Sequence, residues 1–195
     1  MAKIHPHQAP SFYPHLSSQT ENFILWMKSL VFHTNGCTIY NSKGQIVFRV
    51  DNYEEKCSDE VHLMDGEGKV LCTIRKKGLR PFGGWNGYRS SCSNLKKEKP
   101  WFQVKRYCGV LMRNNLACHV SVGREKYRII RLEGKLEGFR IINLYGNIIA
   151  EAKQKLSSSG VVLGDDVLTL EVESNEDHSL IMALVTVHGL SRRKM

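Results

Sequence analysis

A mainly β fold, a sandwich or barrel closed over one buried helix, is what this chain predicts, and three observations predict it. Three stretches repeat a single hairpin pattern: Thr38-Ile-Tyr-Asn-Ser-Lys-Gly-Gln-Ile-Val-Phe48, His62-Leu-Met-Asp-Gly-Glu-Gly-Lys-Val-Leu-Cys72 and Arg140-Ile-Ile-Asn-Leu-Tyr-Gly-Asn-Ile-Ile-Ala150. Short apolar runs between turn signals bring the strand count to about twelve. The last apolar run, Leu180–Val187, differs in kind from all of them.

Asn22–Lys28 reads as the first strand. In each hairpin the Asn or Asp can bond the backbone of its own turn, and the Gly three residues on can take a positive φ without steric cost. The three hairpins supply six strands. Within Gln45–Asn52, Ile46, Phe48 and Val50 alternate with Val47, Arg49 and Asp51. Trp85–Arg89, Trp101–Tyr107, Ala117–Val122, Tyr127–Leu132 and Val167–Glu173 complete the twelve. Longer connections fall near 53–60 and 90–100, the second polar and basic. Leu180–Val187 has no polar stripe, and Thr186 is its only polar side chain. Its β-branched residues would suit a buried strand, but its flanks favour a helix near 176–188. Ser174 or Asn175 can cap it, Glu176 and Asp177 complement its positive end, and Gly189 with Arg192, Arg193 and Lys194 suits its negative end. A helix apolar all round has to be buried all round. Its eight residues fall far short of the ~20 that cross a bilayer, so a helix threaded through a β-structure is the economical arrangement.

The 195 residues, 42% apolar, suit one domain with a substantial core. Residues 1–20 carry Pro6, Pro10 and Pro14 and no apolar signal region, and read as a disordered tail; 21–195 form the domain. His5, His7 and His15 read as solvated tail residues. The six cysteines, Cys37, Cys57, Cys72, Cys92, Cys108 and Cys118, form no metal-ligand pair. They suit a reduced, intracellular protein, cytoplasmic or peripheral at a membrane, expected to be monomeric and without cofactor or metal.

Catalysis finds no support: Gly-x-Ser-x-Gly, His-Glu-x-x-His and P-loop motifs are all absent. Gly83–Gly87 suits a turn entering a strand better than a phosphate loop, Asp165-Asp166 a turn better than an acid–base pair, and His62, His119, His178 and His188 structural positions. The protein is expected not to be an enzyme.

Charge is the one strongly localised property. Residues 75–106 hold ten Lys and Arg against the single acid Glu98, so they contain the whole net charge of +9. Such a segment attracts phosphate, on lipid or on nucleic acid, unless its cations merely solvate strand edges. The candidate lipid-binding residues are Arg75, Lys76, Lys77, Arg80, Arg89, Lys96, Lys97, Lys105 and Arg106, with Lys99 the tenth cation. Phe82, Trp85, Tyr88, Trp101, Phe102 and Tyr107 are interleaved with them. These rings suit base stacking, insertion at a bilayer surface, or core packing.

Eight sequence words in order carry a resemblance: Trp26–Leu30, Asn35–Thr38, Val50–Cys57, Glu60–Asp65, Gly68–Leu71, Trp85–Arg89, Lys99–Val104 and Leu163–Val167. From about Asn22 to His188 the chain resembles the plant LURP-one-related proteins of the tubby C-terminal-like, phospholipid scramblase-like superfamily. The resemblance implies a closed antiparallel barrel of about twelve strands around a central C-terminal helix. It implies no enzymatic activity, and suggests a membrane-tethered adaptor or regulator binding anionic phospholipid or phosphoinositide, with a connection to plant defence. Scramblase activity is not implied, because adjacent cysteines are absent and Asp165-Asp166 is too sparse for a calcium loop. A nucleic-acid-binding module and a protein-interaction scaffold are the alternatives.

Overall fold

The computed structural model describes residues 17–27, 36–51, 59–78, 84–90, 99–106, 116–134 and 136–192. Twelve strands follow in chain order: β1 Glu21–Trp26, β2 Cys37–Tyr40, β3 Ile46–Asp51, β4 Glu60–Asp65, β5 Val70–Lys77, β6 Gly84–Arg89, β7 Phe102–Arg106, β8 Leu116–Val122, β9 Glu125–Arg131, β10 Gly138–Asn143, β11 Ile148–Gln154 and β12 Val167–Val172. One helix, α1, spans His178–Arg192. Every strand pairs antiparallel with its sequence neighbours, and β1 pairs with β12 to close a barrel without edges. Odd strands therefore all run one way. The rim where they finish is called the upper rim here, and the rim where they begin the lower.

The three repeated hairpins share one geometry. The side-chain oxygen of Asn41 accepts from the N–H groups of Lys43 and Gln45 at 2.9 and 3.0 Å. Asp65 does the same for Glu67 and Lys69, and Asn143 for Tyr145 and Asn147. Gly44, Gly68 and Gly146 sit at φ of 75, 88 and 86°. The ladder shifts register beside each turn, at Ile39/Tyr40, Leu63/Met64 and Ile141/Ile142. A tight turn ending in a left-handed glycine and a bulge is the expected form for such a three-residue loop. The bulge is the structure's addition to what spacing predicts.

The helix lies inside the barrel. Ile181 to Val187 are seven consecutive residues, each no more than 1% exposed, so every face of the helix is covered. Inward side chains of the strands meet it, among them Leu25, Ile39, Leu63, Ile74, Phe102, Ile129, Ile141 and Leu170. His178 lies edge-on to Phe23 of β1, and His188 packs on Phe139 of β10 with ring centroids 4.2 Å apart. Phe23 is near the lower rim and Phe139 near the upper, so α1 enters from below and runs upward. Thr186 gives its hydroxyl proton to the Met182 carbonyl at 2.8 Å, which satisfies the one polar group of the apolar run.

The helix ends differ from the flanking signals. Asp177 is the cap, its Oδ1 accepting the Leu180 N–H at 3.2 Å; Asn175 instead turns the chain with φ 62°. Gly189 does not stop the helix, because it is buried and the apolar environment continues to the upper rim. Asp165 and Asp166 form the turn before β12, accepting hydrogen bonds from Gln154 Nε2 and Trp26 Nε1 at 3.1 Å each. Of the expected tail, residues 1–16 lie outside the described residues. Ser17 accepts the Asn175 N–H at 2.7 Å beneath the helix entrance.

Candidate anionic headgroup site

Register decides where the basic segment goes. On β5, Cys72 and Ile74 point into the core, so Arg75 and Lys77 face outward, while Lys76 takes the inward phase beyond the last core layer. On β7, Phe102 and Val104 point inward, so Lys105 faces outward and Arg106 reaches the rim. Lys77 lies opposite Gly84, Gly84 opposite Lys105, Lys105 opposite His119, and His119 opposite Arg128. Lys77, Lys105, His119 and Arg128 thus form one outward row across five strands. Its strand spacing places Lys77 about 10 Å from Lys105. Above the row, Lys76, Arg106 and Arg131 end β5, β7 and β9 at the upper rim. Arg106 lies opposite Cys118 of β8, and Arg131 ends the next strand, β9, so both stand on one stretch of the rim.

Most of the described arginines outside this group are held by a carboxylate. Arg75 is paired with Glu60, and Arg89, Arg140 and Arg192 with Asp177, Glu151 and Glu137. Among the described residues, Lys77, Lys105, Arg106, Arg128 and Arg131 meet no carboxylate, and Lys76 alone of the group holds one, Asp59 at 2.9 Å. The cations of the row alternate with Gly84 and His119, about 10 Å apart, a spacing that leaves room for an anion between them.

Of the nine sequence candidates, the structure brings together Lys76, Lys77, Lys105 and Arg106, with Arg75 beneath them. It separates Arg89, which lies at the lower rim, bonded to Asp177 Oδ2 at 3.1 Å and stacked 4.2 Å over Trp101. Arg80, Lys96 and Lys97 lie outside the described residues. His119, Arg128 and Arg131 join the site although they stand beyond the basic segment. Their signal was alternation: in Glu125–Arg131, Tyr127 and Ile129 are buried, so Arg128 must face the other way.

The interleaved rings sort cleanly. Phe102 is fully buried and Trp85 is 6% exposed, both in the core. Trp101 is held at the lower rim against Phe102 and Arg89, and Tyr88 lies under the Arg75 guanidinium. Phe82 and Tyr107 lie outside the described residues. Gly84–Arg89 is strand, not phosphate loop: a Cβ on Gly87 would lie 2.0 Å from the Phe102 ring, so this glycine makes room for a core aromatic.

The three described thiols are buried and held protonated, while Cys57, Cys92 and Cys108 lie outside the described residues. Burial pushes Cys37 and Cys72 up to about 12, and Cys118 to about 11 despite its two arginines. A cavity of about 480 Å³ opens at the lower rim between Phe23, Phe48 and His178. Glu21, Asp65 and Glu67 line it, so it repels phosphate and is not part of this site. No group of three or more His, Cys, Asp or Glu suited to a metal occurs among the described residues. Nor is any described helix long and apolar enough to cross a membrane.

Comparison with known proteins agrees with this fold. The LURP-one-related family model matches residues 21–189. LURP-one-related 4 of Arabidopsis thaliana is 47% identical over 192 residues, covering 97% of this chain and 86% of that protein. LURP-one-related 11 of the same plant is 39% identical, covering 97% and 88%. A crystal structure of an Arabidopsis thaliana protein superposes with a TM-score of 0.62 at 17% identity, over 92% of this chain and 94% of the other. With twelve antiparallel strands closed around a buried C-terminal helix, and that family's sequence along nearly its whole length, the chain belongs to the LURP-one-related family.

Proposed function

We propose that this protein is a non-catalytic adaptor that docks on anionic phospholipid, phosphoinositide included, through the outward cations Lys77, Lys105 and Arg128, with His119 between them in the row, and the rim residues Lys76, Arg106 and Arg131. One observation supports the reading above the others: Lys77, Lys105, Arg106, Arg128 and Arg131, which meet no carboxylate among the described residues, come together on β5, β7 and β9 toward one rim. An anionic membrane surface attracts each such cation by about 1 kcal/mol. Single-stranded nucleic acid fits less well. Its bases need exposed rings beside the cations, and the described rings of this region are in the core or beneath arginines.

The test is co-sedimentation with phosphatidylcholine vesicles, with and without phosphatidylserine or phosphoinositide. At about 1 kcal/mol per cation, the double variant Lys77→Glu/Lys105→Glu loses at least about 30-fold in partition. Binding of wild type weakens with salt. Equal binding by both proteins overturns the reading, and salt-dependent capture of RNA with indifference to vesicles replaces it by the nucleic-acid one.

A further inference from the structure

The connection from β11 to β12 leaves and re-enters the barrel at the upper rim, and headgroup docking leaves its side chains unused. It forms a fourth hairpin of the repeated design, with serine in the Asn position. Ser157 Oγ accepts the Val161 N–H at 3.1 Å, Gly160 N–H reaches the Ser157 carbonyl at 3.0 Å, and Gly160 has φ 79°. Ladder bonds continue through Ser157–Val161, the Leu156–Val162 bridge and Leu163–Lys155. Leu156 and Val162 share one face of this short ribbon, and Val161 and Leu163 the other. All four are exposed, by 42, 38, 63 and 51%. Beside the ribbon's base stands Trp26, 42% exposed, its indole N–H bonded to Asp166.

A surface strand ordinarily hides one apolar face and wets the other. This ribbon wets two. A flat partner surface could cover only one of them, whereas the acyl–headgroup boundary of a bilayer surrounds both. Three residues on each side span about 10 Å, close to the depth at which interfacial elements sit. The indole at the base has an apolar body and a bonded polar edge, as side chains at that boundary do. The ribbon also shares its rim with the cations, so a membrane drawn to one reaches the other.

We propose that residues 155–163 are a wedge that inserts into the outer layer of an anionic phospholipid membrane. The proposal rests on the phospholipid reading above and adds insertion to attraction. It is tested on the full chain with vesicles of phosphatidylcholine and phosphatidylserine, with and without brominated acyl chains. Val161→Trp places a reporter at the ribbon tip. Brominated lipid quenches the emission of vesicle-bound Val161→Trp well beyond that of wild type. Val161→Asp/Leu163→Asp lowers vesicle partition about 100-fold with an unchanged melting temperature, because both positions are exposed in the free protein. Sedimentation of Val161→Trp without added quenching overturns insertion and leaves headgroup docking standing. Loss of binding in the Asp variant but not in Lys77→Glu/Lys105→Glu does the reverse. Failure of wild type to sediment with any vesicle overturns both and turns the ribbon toward a protein partner.

Discussion

Single side chains at the lower rim show how stability and binding divide. Asp177 caps α1 and holds Arg89, so Asp177→Ala is expected to cost about 1 kcal/mol for the cap, plus the lost partner; chemical denaturation measures it. Arg89→Ala should lower stability slightly and leave vesicle partition unchanged, since its charge is at the opposite end from the docking row; a tenfold loss of binding would refute that division. Glu176 sits among Glu125, Asp177 and Glu173, and burial followed by these charges raises its pKa above the ordinary 4.5. A raised carboxyl contributes stability while both states are protonated, and that contribution is lost as pH rises through the folded value. Glu176→Gln therefore melts higher than wild type at pH 7, and the two curves converge below the ordinary carboxyl range. The three buried thiols follow the same sign. Native alkylation at pH 8 leaves Cys37, Cys72 and Cys118 unmodified, and stability falls as pH passes 9.0, where the unfolded thiols ionise. Of this scale the sequence showed least: that Cys72 is a core residue followed from alternation, but that Arg89 belongs to Asp177 depended on a contact 88 residues apart along the chain.

At the scale of elements the code is local and was mostly readable. Asn-x-x-Gly specifies turn, bulge and register together, because the side chain closes the loop and only a left-handed residue fits before the bulge. Ser157-x-x-Gly160 follows the same logic with a hydroxyl, a weaker turn signal in sequence than an amide or carboxylate. The cationic row was half legible. Its members on β5 and β7 lay in a conspicuous charge run. His119 and Arg128 joined through cross-strand register, which a charge count does not contain. Gly87 is the sharpest test of this packing. Gly87→Ala drives a methyl into the fully buried Phe102 ring, and overpacking of this kind costs about 1–3 kcal/mol. Urea midpoints of Gly87→Ala and of Gly87→Ala/Phe102→Leu read the effect: the second change, which removes the ring, should recover part of the loss.

For the whole molecule, barrel and helix are one cooperative structure, because neither can be dry without the other. An eight-strand barrel is filled by its own side chains, but twelve strands enclose a wider space. A helix 10–12 Å across with its side chains fills what remains. This is why an apolar run without a polar stripe, at the end of a strand-rich chain, announced the architecture: no surface position could accept it. What sequence could not supply was the helix's direction and extent, since His188 and Gly189 look like terminators until the barrel wall is known to continue beside them. The dependence should run both ways. A chain ending at Glu173 retains all twelve strands, yet Leu25, Leu63, Ile74 and Ile141 lose the surface that keeps them from water. Each such side chain is worth about 1.5–3 kcal/mol when buried, and a domain's whole stability is about 5–15 kcal/mol. The truncated chain is therefore expected to lose cooperative melting and the fixed near-ultraviolet signal of Trp85. Leu184→Ala, which removes one side chain from the axis, should lower stability by about 2–5 kcal/mol while keeping a single transition. A truncated chain that melts cooperatively near the wild-type temperature would show that the wall stands without its axis.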